Sequence, residues 1–195
     1  MYNKLEDNFH LSNKKALFLN MKIYYEAMGK DPFSALPVTF HVKEGVDSAE
    51  WRAFQTYHDK CEAEAAEWKA RNQQKNSPVK ELPSSMRRNI WIIKPGENTN
   101  RGQGIQVARD FQEIESLVAD ATQNKKRTCI IQKYIHNPLL INRRKFDMRL
   151  YAFMTSVNGQ RRAYFYEEGY IRTSSYEFSL TNLNNRLVHL TNDAV

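Results

Sequence analysis

A chain of 195 residues, 41% hydrophobic and 26% charged, can bury one core in one or two lobes, which excludes the disordered and fibrous classes. Its formal net charge of +7 predicts a surface field that draws anions such as a nucleotide, a nucleic acid or an acidic peptide. No run approaches the roughly 20 apolar residues of a membrane helix, and two cysteines, Cys61 and Cys129, are too few for a disulfide framework or a zinc cage.

The amino terminus, MYNKLEDNFHLSNKK, lacks the apolar centre of a secretory signal, so a cytosolic protein with no membrane partner is expected. Residues 14–28 place Leu17, Met21, Tyr24 and Met28 at helical spacing ahead of Gly29, which predicts a packing helix. Two prolines make the next stretch irregular, and a β-rich run follows from Val38 to Val42. From about 47 to 74 there is no glycine or proline. Asp47 and Glu50 stand at capping-box spacing there, and Trp51, Phe54, Cys61, Ala65 and Trp68 recur near a helical period, predicting one long amphipathic helix. The polar stretch NQQKNSPVKELPSSMRR, with Pro78 and Pro83, reads as a loop or linker. It divides the chain into a helical amino-terminal region, 1–88, and a main domain, 89–195.

Strand-like runs at 89–94, 128–135, 146–156 and 161–167 follow, interrupted by one helix at 111–119 that Asp110 and Glu113 cap. Asn158-Gly159 predicts the turn of a hairpin joining the last two strands. The order gives an α+β fold with a nucleotide-site layout. No RNP-type motif, zinc-finger spacing or basic heptad pattern appears, so no nucleic-acid partner is expected.

Three of the seven glycines, Gly96, Gly102 and Gly104, fall in NIWIIKPGENTNRGQGI, directly behind an apolar run ending in Lys94. Glycines beside a strand end let backbone N–H groups approach a phosphate. The stretch is no P-loop, having no Gly-Lys-Ser/Thr, and no dinucleotide fingerprint, since Val107 stands where a third glycine is needed. A plain surface turn fits RGQG equally. In RRKFDMRLYAF, period-two alternation puts Phe146, Met148 and Leu150 on a core face and Lys145, Asp147, Arg149 and Tyr151 on the other. That charged face either binds a ligand or is solvated. TCIIQKYIHNPLL is either an ordinary core strand or one that offers its backbone to an adenine edge where no neighbouring strand takes it. His189 fits a satisfied core histidine.

Taken in order, WIIKPGENTNRGQGI, IIQKYIHNPLLINRRKFDMRLY, YFYEEGYIRTSS and NLNNRLVHLTN resemble the blocks of the tubulin-tyrosine-ligase-like family of ATP-grasp amino-acid ligases. KKALFLNMKIYYEAMGKDPFSALPVTFHV resembles its amino-terminal block, so the likeness covers about 14–42 and 89–195. The resemblance implies an ATP-grasp-like α+β fold with an incomplete carboxy-terminal lobe. It assigns Lys94 to the nucleotide phosphates, Arg101 and Gly102 to a loop over them, and Gln132, Lys133, Tyr134 and Ile135 to an adenine-contacting strand. Lys145, Asp147 and Arg149 fall to the nucleotide as well, as do Thr191 and Asn192. Arg172 would face the phosphates and the incoming amino acid, which makes Lys145 and Arg172 the catalytic pair.

The implied cofactors are ATP and Mg²⁺, with the Mg²⁺ ligands expected beyond Val195, so that the chain reads as a fragment inactive alone. The implied reaction phosphorylates a carboxylate of the acceptor, and the amino group of a free amino acid then displaces the phosphate. The partners would be the acidic tails of tubulin in microtubules and a free amino acid, glutamate first, with a cytoskeletal location extending to the cilium or basal body. Ala194, where many glutamylating relatives have serine, keeps glycine addition open, and a non-catalytic tubulin-binding module is the runner-up.

Overall fold

The computed structural model describes residues 10, 13–73, 89–96, 102–123 and 127–192. Of the expected linker at 72–88, residues 72 and 73 still belong to the long helix, and 74–88, with the boundary at 88, lie outside the described residues, as do Arg101 and Ala194. Within those described, helices and antiparallel strands combine in an α+β fold. None of their helices is long and apolar enough to cross a membrane. The chain divides into two compact units, one comprising Ala35–Thr99 and Gly104–His136, the other Met1–Ser34, Asn100–Gln103 and Asn137–Val195.

The first unit is a four-stranded antiparallel sheet backed by two helices. Its elements are β1 (Thr39–Val42), α2 (Ala49–Gln73), β2 (Trp91–Pro95), β3 (Gln106–Ala108), α3 (Phe111–Thr122) and β4 (Cys129–Lys133), with strand order β1-β4-β2-β3. Alternation sends Val42, Cys129, Ile131, Trp91, Ile93 and Ala108 to one face. They form the core there with Trp51 and Phe54 of α2 and Ile114 and Val118 of α3. Phe54 is fully buried, with its ring 4.9 Å from Trp91 in an edge-to-face contact, 5.1 Å from Trp51 and 5.5 Å from Phe40.

Sequence chemistry sets the helix starts. Asp110 Oδ1 accepts from the Glu113 N–H at 2.9 Å to cap α3, as expected. At α2 the cap is Ser48, whose Oγ accepts from the Trp51 N–H at 3.2 Å. Asp47, the expected cap, lies in a short 3₁₀ turn, Gly45–Asp47, and its carbonyl accepts from Arg52 Nη1 at 2.7 Å.

Gly96 follows β2 because the chain passes too close to Thr128 for any side chain. Its N–H donates to the Thr128 carbonyl at 2.7 Å, and an added Cβ would lie 2.2 Å from Thr128 Oγ1 and 2.9 Å from that carbonyl oxygen. Gly96→Ala is therefore expected to destabilise the protein by about 1–3 kcal/mol through overpacking, read as a lower urea midpoint at unchanged slope. An unchanged midpoint would contradict the close approach.

The second unit holds α1 (Lys14–Ala27), β5 (Leu140–Ile141), β6 (Arg144–Arg149), β7 (Ala152–Val157), β8 (Gln160–Phe165), β9 (Tyr170–Thr173) and α4 (Arg186–His189). β5-β6-β9 form one antiparallel sheet, and β7-β8 form a separate hairpin. The hairpin turns at Asn158 and Gly159, both at positive φ (49° and 76°) as the dipeptide predicts.

Two expectations are corrected here. The single strand at 146–156 is two: the chain changes partners after Arg149, β6 pairing with β9 and β7 with β8. The intended core face is also open, with Met148 62% and Leu150 49% exposed. Helix α1 forms, capped by Asn13 Oδ1 on the Lys15 and Ala16 N–H groups, yet Ala16 is its only buried residue. Leu17, Tyr24 and Met28, which do share one stripe of the helix, are exposed, so the expected packing face is not buried among the described residues.

Candidate functional site

Each unit carries one group of candidate residues. In the first, β4 lies between β1 and β2, so Gln132 faces Thr39 on one side and Ile92 on the other, with Lys94 one diagonal step away on the same face. Lys94 Nζ donates to Gln132 Oε1 at 2.7 Å, Gln132 Nε2 donates to Thr39 Oγ1 at 2.9 Å, and Thr39 Oγ1 donates to the Pro37 carbonyl at 2.7 Å. An ammonium only donates, so the lysine fixes which end of the amide faces it and the threonine receives the other. The chain of donors holds Lys94 Nζ over the sheet. Thr39 has no signature of its own in the sequence; only its register opposite Gln132 brings it in.

The remaining residues of this strand point elsewhere. Lys133 alternates to the helix-covered face, where its Nζ lies 4.6 Å from the centre of the Trp91 ring, 3.1 Å from Asn89 Oδ1 and 3.9 Å from Cys61 Sγ. Burial lowers its pKa, and Cys61 and Glu62 oppose that shift. The backbone N–H of Lys133 donates to Val38 O at 2.8 Å and that of Tyr134 to Ile90 O at 2.9 Å, so both donors are engaged within the unit. Tyr134 is buried, which pushes its hydroxyl pKa up, whereas Ile135 is 59% exposed.

In the second unit β6 presents Lys145, Asp147 and Arg149 on one face, and β9 places Arg172 directly opposite Asp147. Arg172 and Asp147 make a two-pronged pair: Nε donates to Oδ1 at 2.9 Å and Nη2 to Oδ2. Thr191 also bonds the Asp147 carboxylate, and Arg149 lies close enough to act on it. The Arg172 hydrogen bond, aided by these, holds the Asp147 carboxyl below the usual carboxylate range against the opposing effect of burial.

Lys145 Nζ donates to the His189 carbonyl at 3.1 Å; burial lowers its pKa and Asp147 partly restores it. His189 itself is 1% exposed, with its Nε2 3.1 Å from the Asn182 carbonyl and its ring edge-on to Phe178, a satisfied core histidine. Gly102 takes φ +80° and rests against Leu190 and Asn192, its carbonyl accepting from Arg186 Nη2 at 2.5 Å.

The second unit thus gathers Gly102, Lys145, Asp147, Arg172, Thr191 and Asn192, while the first holds Lys94 with Gln132 on one face of its sheet and Lys133 on the other. In the first unit Lys94 is a cation held by Gln132 Oε1, and in the second Lys145 is held by the His189 carbonyl and Arg172 is oriented by the Asp147 carboxylate. Among the described residues no group of three or more His, Cys, Asp or Glu side chains could hold a metal ion, so no step is assigned to Mg²⁺.

A sequence model of the tubulin-tyrosine ligase family matches residues 1–195. The chain belongs to the tubulin-tyrosine ligase family. Tubulin glycylase 3B of Tetrahymena thermophila is 45% identical over 108 residues, covering 55% of this chain and 9% of that protein. Tubulin monoglutamylase TTLL4 of Mus musculus is 29% identical over 195 residues, 99% of this chain and 13% of that protein. The chain therefore spans about a tenth of the length of these curated relatives. Among solved structures, the C-terminal domain of K. lactis Pby1, described as an ATP-grasp enzyme interacting with the mRNA decapping enzyme Dcp2, has 16% identity and a TM-score of 0.42. That likeness covers 92% of this chain and 48% of that one.

The depressed Asp147 carboxyl gives this ligase-family chain a pH signature. Its folded pKa lies below the unfolded value, so its stabilisation is fully present above the ordinary carboxylate range and drains away as pH falls toward the folded value. Asp147→Asn should accordingly be less stable than the parent at neutral pH, with the gap narrowing in acid. Urea unfolding across pH checks this, and a gap independent of pH would contradict it.

Proposed function

We propose that this chain serves an ATP-dependent ligase that joins an amino acid to tubulin, acting through an acyl phosphate on an ATP-grasp-type domain. The family match over the whole chain carries this reading. In it, Lys94, held by Gln132, serves the ATP phosphates, and Lys145 and Arg172 stabilise the charge that spreads as the phosphoryl group leaves ATP for the acceptor carboxylate. Gly102, Thr191 and Asn192 fix the surroundings of that charged row, Asp147 orients Arg172, and Arg149 adds positive field at its edge. Ile135, which is exposed, and the backbone of Tyr134 and Ile135 past the end of β4 are proposed for the adenine, since β1 and β2 flank Gln132 on both sides. The free amine then attacks the acyl phosphate, an amide bond forms, and inorganic phosphate departs. Mg²⁺ would further screen the phosphates when bound. The net charge of +7 suits the acidic tubulin tails and a place on the cytoskeleton.

The amino acid proposed first is glutamate, on the likeness of the motifs. Glycine is the second reading, favoured by the 45% identity to a tubulin glycylase. Incubating the full-length protein that contains this chain with microtubules, Mg-ATP and labelled glutamate, glycine or tyrosine in parallel distinguishes them. ATP-dependent incorporation of glutamate supports the first reading and of glycine the second. Incorporation of none, by a folded full-length protein containing this chain, contradicts the ligase and leaves a tubulin-binding module.

A further inference from the structure

We infer that Arg186 is a positioning residue, one that sets the peptide plane after Gly102 for the nucleotide; this rests on the ATP reading above. Arg186 opens the short helix α4, which Asn185 caps through its Oδ1 on the Leu187 N–H at 3.1 Å. From there its Nη2 reaches across 84 residues of sequence to the Gly102 carbonyl at 2.5 Å. Gly102 stands at φ +80°, and an added Cβ would lie 3.3 Å from Leu190 Cδ1 and 3.6 Å from Asn192 Cγ. The same segment accepts Lys145 Nζ on the His189 carbonyl and bonds Asp147 through Thr191. Seven residues, 186–192, therefore fasten both the glycine turn and the charged row.

The peptide unit is planar and trans, so anchoring the Gly102 carbonyl on a guanidinium turns the Gln103 N–H to the opposite side. Backbone donors held this way at a glycine turn are the kind that receive phosphate oxygens. Arg186 Nε is buried and has no hydrogen-bond partner among the described residues, an unfavourable way to build a residue that only packs. The contact with Gly102 gives the guanidinium its role, and that role is orientation of a backbone donor.

Two readouts test this. In Arg186→Met, amide exchange at Gln103 should quicken, and the KM for ATP should rise roughly tenfold while the KM for the amino acid stays unchanged. Arg186→Lys, which restores a cationic donor, should recover part of the loss and also carries the test if the methionine variant does not fold. An unchanged KM for ATP, or an equal rise in both KM values, overturns the inference. If the parent protein shows no ATP-dependent incorporation, the functional reading fails separately. Amide exchange then decides alone: faster exchange at Gln103 supports the positioning, and unchanged exchange overturns it.

Discussion

Phe54→Ala is expected to lower the unfolding free energy by about 3–5 kcal/mol, the range for truncating a fully buried aromatic side chain. Phe54 is 0% exposed and sits where α2 meets the sheet, touching the rings of Trp51, Trp91 and Phe40 and lying parallel to Phe111 at 6.3 Å. Removing it opens a cavity between rigid rings that cannot collapse, so both the transfer and the cavity contributions are lost together. Phe54→Leu refills most of that volume and should cost markedly less. The same cavity loosens Trp91, the ring on which Lys133 stacks, and Trp91 belongs to the strand that carries Lys94. Urea unfolding of the two variants checks the prediction, and equal, small losses would show that Phe54 is not the centre of this core.

The largest functional effect is expected at Arg172. Arg172→Ala should reduce the rate of ligation by roughly 10²–10³, the scale for removing one preorganised charge from a developing anion. It should also cost about 1–3 kcal/mol of stability by leaving Asp147 without its main partner. The two losses can be separated, because Asp147→Asn gives up most of the pairing and keeps the cation. Arg172→Lys retains the charge and loses the planar fork that matches the Asp147 carboxylate on two points, so it should recover only part of the rate. Single-turnover rates and unfolding curves of the three variants make the measurement. Wild-type rates in Arg172→Ala would remove this residue from the chemistry.

What the sequence disclosed follows the range of each signal. Period-two alternation placed Lys145, Asp147 and Arg149 on one face, and the capping pair Asp110 and Glu113 marked the start of α3, because these are local patterns. The pairings that organise the candidate site are not local. Arg172 meets Asp147 across 25 residues, Gln132 meets Thr39 across 93 and Arg186 meets Gly102 across 84, each set by strand register or a returning segment that no spacing rule reads.

Lys133 shows the converse. The motif resemblance puts it beside Gln132, and the same alternation that aims Gln132 toward Lys94 sends Lys133 to the opposite face. Apolar content misled at α1 and at Met148 and Leu150, since hydrophobicity states what a residue tolerates and burial depends on what packs against it.

Lys94 and Lys145 are each proposed to serve the phosphates of ATP. Titration of Mg-ATP into the parent protein, Lys94→Ala, Lys145→Ala and a control, Lys60→Ala on the exposed face of α2, tests this most directly. The account predicts a saturable complex with the parent and the control, and affinity at least about tenfold weaker in each of the other two variants. ATP binding by Lys94→Ala and Lys145→Ala as tight as that of the parent would contradict it.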